Sequence, residues 1–309
     1  MKILLRKIYD NFVAKNKLIS ESLIRIYYYS GYLIFIFNIL RKKPYIGSYL
    51  FSDQEKGRER LKVIGSVFKN IQKKQINILE LGVYCGQSTL FISSLIKKGQ
   101  ISYYCVDLFK EFEISDNNND FHYKKIYENL KNKKIYNLFF HNINAIKKSQ
   151  SNINFFIKKV TTKTFFKHNK IKFDLIIIDA SHQFNYVYED IISSKKILNN
   201  NGYIIGDDYE SEAKTLSFFE LKKNKNTDLI YNKKTKKYFH PGVTLAVKYI
   251  FKNLKSKNGL FCVQKKNKKF IDFFDEKKCY INEVKKQSQE KIDSYDKKVY
   301  YEASKQDFC

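Results

Sequence analysis

Residues 173–178, Phe-Asp-Leu-Ile-Ile-Ile, are almost continuously apolar and run straight into Asp179. A strand without polar alternation is buried on both faces, and sheets built from such strands are parallel ones covered by helices. The flanking sequence agrees. Apolar strand-like runs at 76–81, 101–107, 153–157, 203–206 and 260–263 alternate with helical patterns at 88–97, 122–133, 142–148, 186–198 and 243–251. This alternation predicts an α/β protein: a Rossmann-like, doubly wound, mostly parallel sheet with helices on both faces. Ser52 and Glu55 have capping-box spacing and predict a helix start, followed by Leu61, Ile64, Val67 and Phe68 on one face. The run Asn199-Asn200-Asn201-Gly202 reads as the stop of the preceding helix.

Three regions follow from the pattern: a helical arm over 1–50, the α/β domain over 51–264 and a charged extension over 265–309, where Phe270, Ile271, Phe273 and Phe274 are able to dock. The arm is apolar from Ile24 to Leu40, with Arg41-Lys42-Lys43 behind it. That is short of the roughly 20 residues a membrane span needs, and Arg25, Ser30 and Asn38 interrupt it. The expectation is an arm packed on the main domain or on a second copy in a homo-oligomer. The other reading is peripheral contact through residues 24–43 with the inner face of a membrane.

The formal charge is +27, from 58 Lys+Arg against 31 Asp+Glu. Lysine is abundant together with Asn, Ile, Tyr and Phe, the set that AT-rich codons produce. Base readers favour arginine forks, and no arginine follows Arg60, so no specific nucleic-acid role is expected. The five cysteines include no C-x-x-C pair. An odd number without metal-site spacing argues against a disulfide framework or a zinc site and for a reducing, cytoplasmic setting.

Chemistry concentrates at strand ends. The first is Glu80-Leu81-Gly82-Val83-Tyr84-Cys85-Gly86-Gln87-Ser88, a strand, a glycine turn and a helix start. Glycine admits close backbone approach, and a helix start offers free N–H groups to an anion. Asp107 ends the next strand, where a ribose diol is gripped in nucleotide-type α/β folds. The second is Asp179, with His182 three residues on; the third is Asp207-Asp208. Three converging carboxylates need a cation, and hard oxygen ligands suit Mg²⁺. A histidine nearby is apt for proton transfer, since its ordinary pKa of about 6.5 lies near working pH.

Residues 78–91 resemble the first motif of class I S-adenosylmethionine-dependent methyltransferases. The likeness runs from about Asp53 to Val263 and is strongest to the metal-dependent O-methyltransferases of the sugar or macrolide and catechol types. The resemblance implies S-adenosylmethionine held by Glu80, Gly82, Tyr84, Gly86, Ser88, Asp107 and Asp179. It implies Mg²⁺ or another divalent cation on Asp179, Asp207 and Asp208, and His182 as the catalytic base. Asp-Asp at 207–208 is similar to the sugar type, where catechol enzymes usually carry Asp-Asn. The stretch from His240 to Val247 resembles the family's Gly-Val…Ala-Val helix, to which no chemistry is assigned. Lys158-Lys159-Val160-Thr161-Thr162 departs from the family in carrying no acid near the adenine.

The activity implied is methyl transfer to a hydroxyl of a small-molecule or glycan acceptor, a sugar or glycosylated metabolite first and a catechol-like phenol second. Competing readings are a nicotinamide oxidoreductase, an RNA methyltransferase and a non-catalytic basic protein that binds membranes or polyanions. The dinucleotide fingerprint and a base-holding Asn-Pro-Pro-Tyr motif are both missing from the sequence.

Overall fold

The computed structural model describes residues 17–52, 57–111, 121–210, 217–232, 235, 237–252 and 254–276. A seven-stranded sheet organises them in the order β3-β2-β1-β4-β5-β8-β9. The first five, β1 (Gln75–Leu81), β2 (Gln100–Val106), β3 (Ile153–Lys158), β4 (Phe173–Ile178) and β5 (Leu198–Gly206), are parallel. Strand β8 (Phe261–Lys266) joins β5 antiparallel, and β9 (Lys269–Asp272) closes the edge as a hairpin. A separate hairpin pairs β6 (Ile230–Asn232) with β7 (Lys237–Phe239).

The helices are α1 (Lys17–Leu40), α2 (Arg58–Phe68), α3 (Gln87–Leu95), α4 (Phe121–Lys131), α5 (Lys134–Ser149), α6 (Thr162–His168), α7 (Phe184–Ile197), α8 (Phe218–Lys223), α9 (Pro241–Phe251) and α10 (Phe273–Glu276). They cover the two faces of the sheet, and successive strand residues serve alternate faces, as the period of two requires. Leu175 and Ile177 of β4 pack with Leu61, Phe91 and Ile143 from α2, α3 and α5. Ile176 and Ile178 pack on the other side with Phe165, Val187 and Val247 from α6, α7 and α9. All six residues of β4 are buried.

Local expectations fare unevenly. Helix α5 starts at Lys134, well before the expected 142, because Ile135, Leu138 and Phe139 continue the buried stripe. Residues 199–202 do not stop a helix but lie inside β5. Asn199 Nδ2 donates to Asp174 Oδ1 at 2.8 Å, which satisfies a polar side chain there. Helix α2 has Gly57 at its N-cap with no side-chain cap; residues 53–56 of the expected capping box lie outside the described residues. Ser52 instead latches a turn, its Oγ donating to Gly47 O and accepting from Gly47 N, each at 2.9 Å. Residues 265–276, assigned to the tail by charge, complete β8 and form β9 and α10, with Phe273 and Phe274 buried.

In the described part of the arm, Lys17–Leu40 form one helix of 24 residues. Phe35 stacks on Tyr49 with ring centroids 4.7 Å apart. Gly31 makes this approach possible, since a Cβ there would lie 2.1 Å from Ser48 Oγ.

Candidate active site

The strand register fixes the site. Leu81 is level with Val106 on β2 and with Ile178 on β4, which is level with Gly206 on β5. The next residues, Asp107, Gly82, Asp179 and Asp207, therefore stand side by side at the carboxyl edge. Backbone bonds continue the ladder there: Gly82 N donates to Val106 O at 2.9 Å, Asp179 N to Leu81 O at 2.8 Å and Asp207 N to Ile178 O at 3.0 Å. This edge is where open α/β sheets bind ligands.

Gly82 and Gly86 shape the turn, with φ of +80° and +83°. A Cβ on Gly82 would sit 1.9 Å from Asp179 O, so only glycine lets the turn lie against the end of β4. Asp107 fastens the same turn. Its Oδ2 accepts from Val83 N at 2.9 Å and Tyr84 N at 3.0 Å, and its Oδ1 from Phe109 N at 2.7 Å. Burial pushes the Asp107 carboxyl up, and these three N–H groups pull against it without cancelling the rise.

Glu80 and Ser88 lie behind the turn and are fully buried. Glu80 accepts from Thr89 Oγ1 at 2.8 Å, from Tyr103 OH at 2.5 Å and from Ser88 Oγ. The Ser88 hydroxyl, expected at the ligand, thus ties the start of α3 to β1. Tyr84 reaches the other way, its hydroxyl donating to Leu50 O at 2.9 Å.

Beside the turn, beyond β4 and β5, lies a charged cluster. Arg60 Nη1 is 2.6 Å from Asp207 Oδ1 and 3.0 Å from Asp208 Oδ1. Burial alone would lower the pKa of Arg60, but Asp207 and Asp208, with Asp179 behind them, raise it above its ordinary value. The counter-charge that the three acids demand is thus supplied by a guanidinium from α2.

His182 Nε2 lies 3.0 Å from Asp208 Oδ2 and its Nδ1 2.6 Å from Asp228 Oδ1. His240 Nδ1 lies 2.9 Å from Glu210 Oε1, and the two imidazole centroids are 4.2 Å apart. Burial would lower the pKa of His182, yet its bonds to Asp208 and Asp228 hold it well above the ordinary value. Asp208 is the reverse case. Burial raises its pKa, but the bond from His182 and the charges of His182, His240 and Arg60 win and keep it far below the carboxylate range.

One group among the described residues offers ligand atoms within 4.8 Å of one another for a metal ion: His182, Asp208 and His240. Of the three expected metal acids, only Asp208 enters it; Asp207, with 2% of its side chain exposed, is held by Arg60. His240, Asp228, Glu210 and Arg60 were not anticipated. The signal for His240 is its position just before Pro241-Gly242 at the start of α9. Gly242 lets that start close on the His182 loop, since a Cβ there would lie 2.2 Å from His182 O. Arg60, Asp228 and Glu210 come from distant or irregular stretches with no local mark.

Residues 79–209 match a family model described as a methyltransferase domain. No curated protein matches the chain. Among solved structures it is similar to a candidate O-methyltransferase from Klebsiella pneumoniae, at 15% identity over 52% of this chain and 60% of that one, with a TM-score of 0.32. It is also similar to an O-methyltransferase from Bacillus cereus in complex with SAH, at 14% identity over 79% and 81%, TM-score 0.33. A third is the O-methyltransferase NovP, at 12% identity over 68% and 81%, TM-score 0.42. The first of these is matched over less than two thirds of its own length. Likeness this distant adds nothing to what the sheet order and the domain model already give. The chain has the fold of class I S-adenosylmethionine-dependent methyltransferases.

Proposed function

We propose that this chain is an S-adenosylmethionine-dependent O-methyltransferase, assisted by a divalent cation, that methylates a hydroxyl of a sugar or glycosylated metabolite. The observation that carries this reading is the meeting of His182, Asp208 and His240 at the strand ends beside the Gly82–Gly86 turn. That turn, with Tyr84, Asp107 and Asp179 around it, is the proposed seat of the methyl donor. Glu80 and Ser88 brace it from behind, and the protein orients donor and acceptor for in-line attack and excludes water.

The donor chemistry tests the cation. Two imidazoles and a carboxylate suit a borderline divalent ion, whereas Mg²⁺ prefers an all-oxygen set. The all-oxygen set of Asp179, Asp207 and Asp208 shares Arg60 as its counter-charge. Asp208, His182 and His240 would therefore hold the ion, with Asp228 and Glu210 orienting the two imidazoles as outer carboxylates. A bound ion would lower the pKa of an acceptor hydroxyl.

The contact of His182 Nδ1 with Asp228 also fits an alternative role for His182, in which the Nε2 of its neutral form accepts the hydroxyl proton instead of holding the ion. One variant separates the roles. With His182 as ligand, His182→Gln lowers Mn²⁺ affinity measured by calorimetry; with His182 as base, Mn²⁺ affinity stays and kcat falls by about 10²–10⁴.

The test of the whole reading is transfer of a labelled methyl group to glycans and to catechols, with and without chelator. The expected result is labelled glycan, abolished by chelator and by Asp208→Ala, while S-adenosylhomocysteine still binds that variant. Transfer indifferent to both would remove the cation, and labelling of catechols alone would replace the sugar by a phenol.

A further inference from the structure

Helix α1 has two apolar sides. Its inner stripe, with Tyr28, Gly31 and Phe35, lies on the segment that follows the helix, where Tyr28 and Phe35 meet Tyr49 with ring centroids 5.3 and 4.7 Å apart. Its outer side carries Leu23, Ile26, Tyr29, Leu33, Phe37 and Leu40, between 43% and 74% exposed. Residues 21–40 contain an 18-residue stretch of mean hydropathy 1.4 and are long and apolar enough to cross a membrane by length and composition. A helix apolar all round is stable in water only where something covers it.

We propose that the outer side of α1 is a docking surface for an anionic lipid bilayer, with the helix lying in the plane of the interface. Charge decides between a bilayer and a second copy of the chain. The exposed Arg41, Lys42 and Lys43 follow the helix directly, and the chain carries +27. Each basic residue near an anionic surface adds attraction, whereas two such chains repel. The flanks of the outer stripe agree. A two-helix seam is bordered by complementary charges; here Tyr32, Ile36 and Ile39 stand beside it, and Arg25 is the lone charge between Ser22 and Leu40. The exposed Tyr27, Tyr29 and Tyr32 are residues that favour the headgroup level. Because the inner stripe is docked on the domain, the helix lies on the membrane and does not thread it. At 1.5 Å per residue the stretch from Leu23 to Leu40 lays down about 27 Å of apolar face.

This inference is independent of the proposed reaction. Its test is co-sedimentation of the full chain with vesicles of phosphatidylcholine alone and of phosphatidylcholine and phosphatidylglycerol in equal parts. The expected result is binding to the anionic vesicles, weakened by salt and reduced about tenfold or more in the double variant Ile26→Glu/Leu33→Glu. Both positions are solvent-exposed, and an unchanged thermal unfolding midpoint verifies the fold. Lys163→Glu on α6, which changes the charge by the same two as that double variant, should keep most of the binding. No binding to anionic vesicles, or equal loss in the Lys163→Glu control, overturns the proposal. A dimer in sedimentation equilibrium that Ile26→Glu/Leu33→Glu dissolves, without vesicle binding, assigns the face to a second copy instead.

Discussion

Arg60 is the residue on which the charged cluster turns. Its guanidinium bridges Asp207 and Asp208, and breaking a buried pair by removing one partner costs several kcal/mol because the other charge stays buried. Arg60→Gln should therefore lower the thermal unfolding midpoint in chelator by an amount equivalent to about 2–4 kcal/mol. Added Mn²⁺ should recover part of the loss, since the ion takes over the counter-charge. A drop that Mn²⁺ leaves untouched would detach Arg60 from the proposed ion site. Asp190 on α7 shows the opposite sign of charge burial. Burial pushes its carboxyl up to about 7, while a hydrogen bond with Thr162 partly offsets the rise. The folded state then binds a proton that the unfolded chain has lost, so stability falls as pH rises from about 4 to 7 and stays reduced above that. Asp190→Asn should flatten this slope and, in urea unfolding, be more stable than the parent at pH 8 by roughly 1–4 kcal/mol while showing no such gain at pH 4.

At the scale of elements, the glycine turn is held by an acid as much as by its glycines. Removing the carboxylate that accepts from Val83, Tyr84 and Phe109 strands three backbone donors, at about 1–3 kcal/mol for each that stays buried and unpaired. Asp107→Ala should lose stability and bind S-adenosylhomocysteine more weakly in calorimetry, with Asp107→Asn between. A variant of full stability with lost binding would mean that the carboxylate serves only the ligand. Much of this element was legible: strand, glycines and helix start stand in order along residues 80–88, and strand length places Asp107 at the same edge. The use of Glu80 and Ser88 was not. Which hydroxyls find the Glu80 carboxylate depends on Tyr103, brought alongside from β2. Likewise, the amide-rich run 199–201 has the residues of a helix stop, yet it lies within β5 where the register with β4 breaks between Leu198 and Tyr203, and Asn199 bonds to Asp174 there.

For the whole molecule, the arm and the site are mechanically joined. Helix α1 lies on the Tyr45–Ser52 segment, and that segment accepts the Tyr84 hydroxyl of the glycine turn at Leu50 O. Gly31→Leu drives a side chain into Ser48 and should undock the arm, seen as faster proteolysis near 41–44 and weaker S-adenosylhomocysteine binding. Faster cleavage with unchanged binding would confine the effect to the arm. The linear pattern of apolar runs was enough to determine a mostly parallel sheet with helices on both faces, because strands buried on both faces belong to parallel sheets covered by helices. It also put Asp107, Asp179 and Asp207-Asp208 at one edge, since strand ends follow from strand length. Which charges meet there was decided in three dimensions alone. Arg60 comes from α2, Asp228 from the stretch before β6 and His240 from the start of α9. Side chains so distant along the chain have no shared period or spacing, and only the packing of their elements gives them a common electrostatic field.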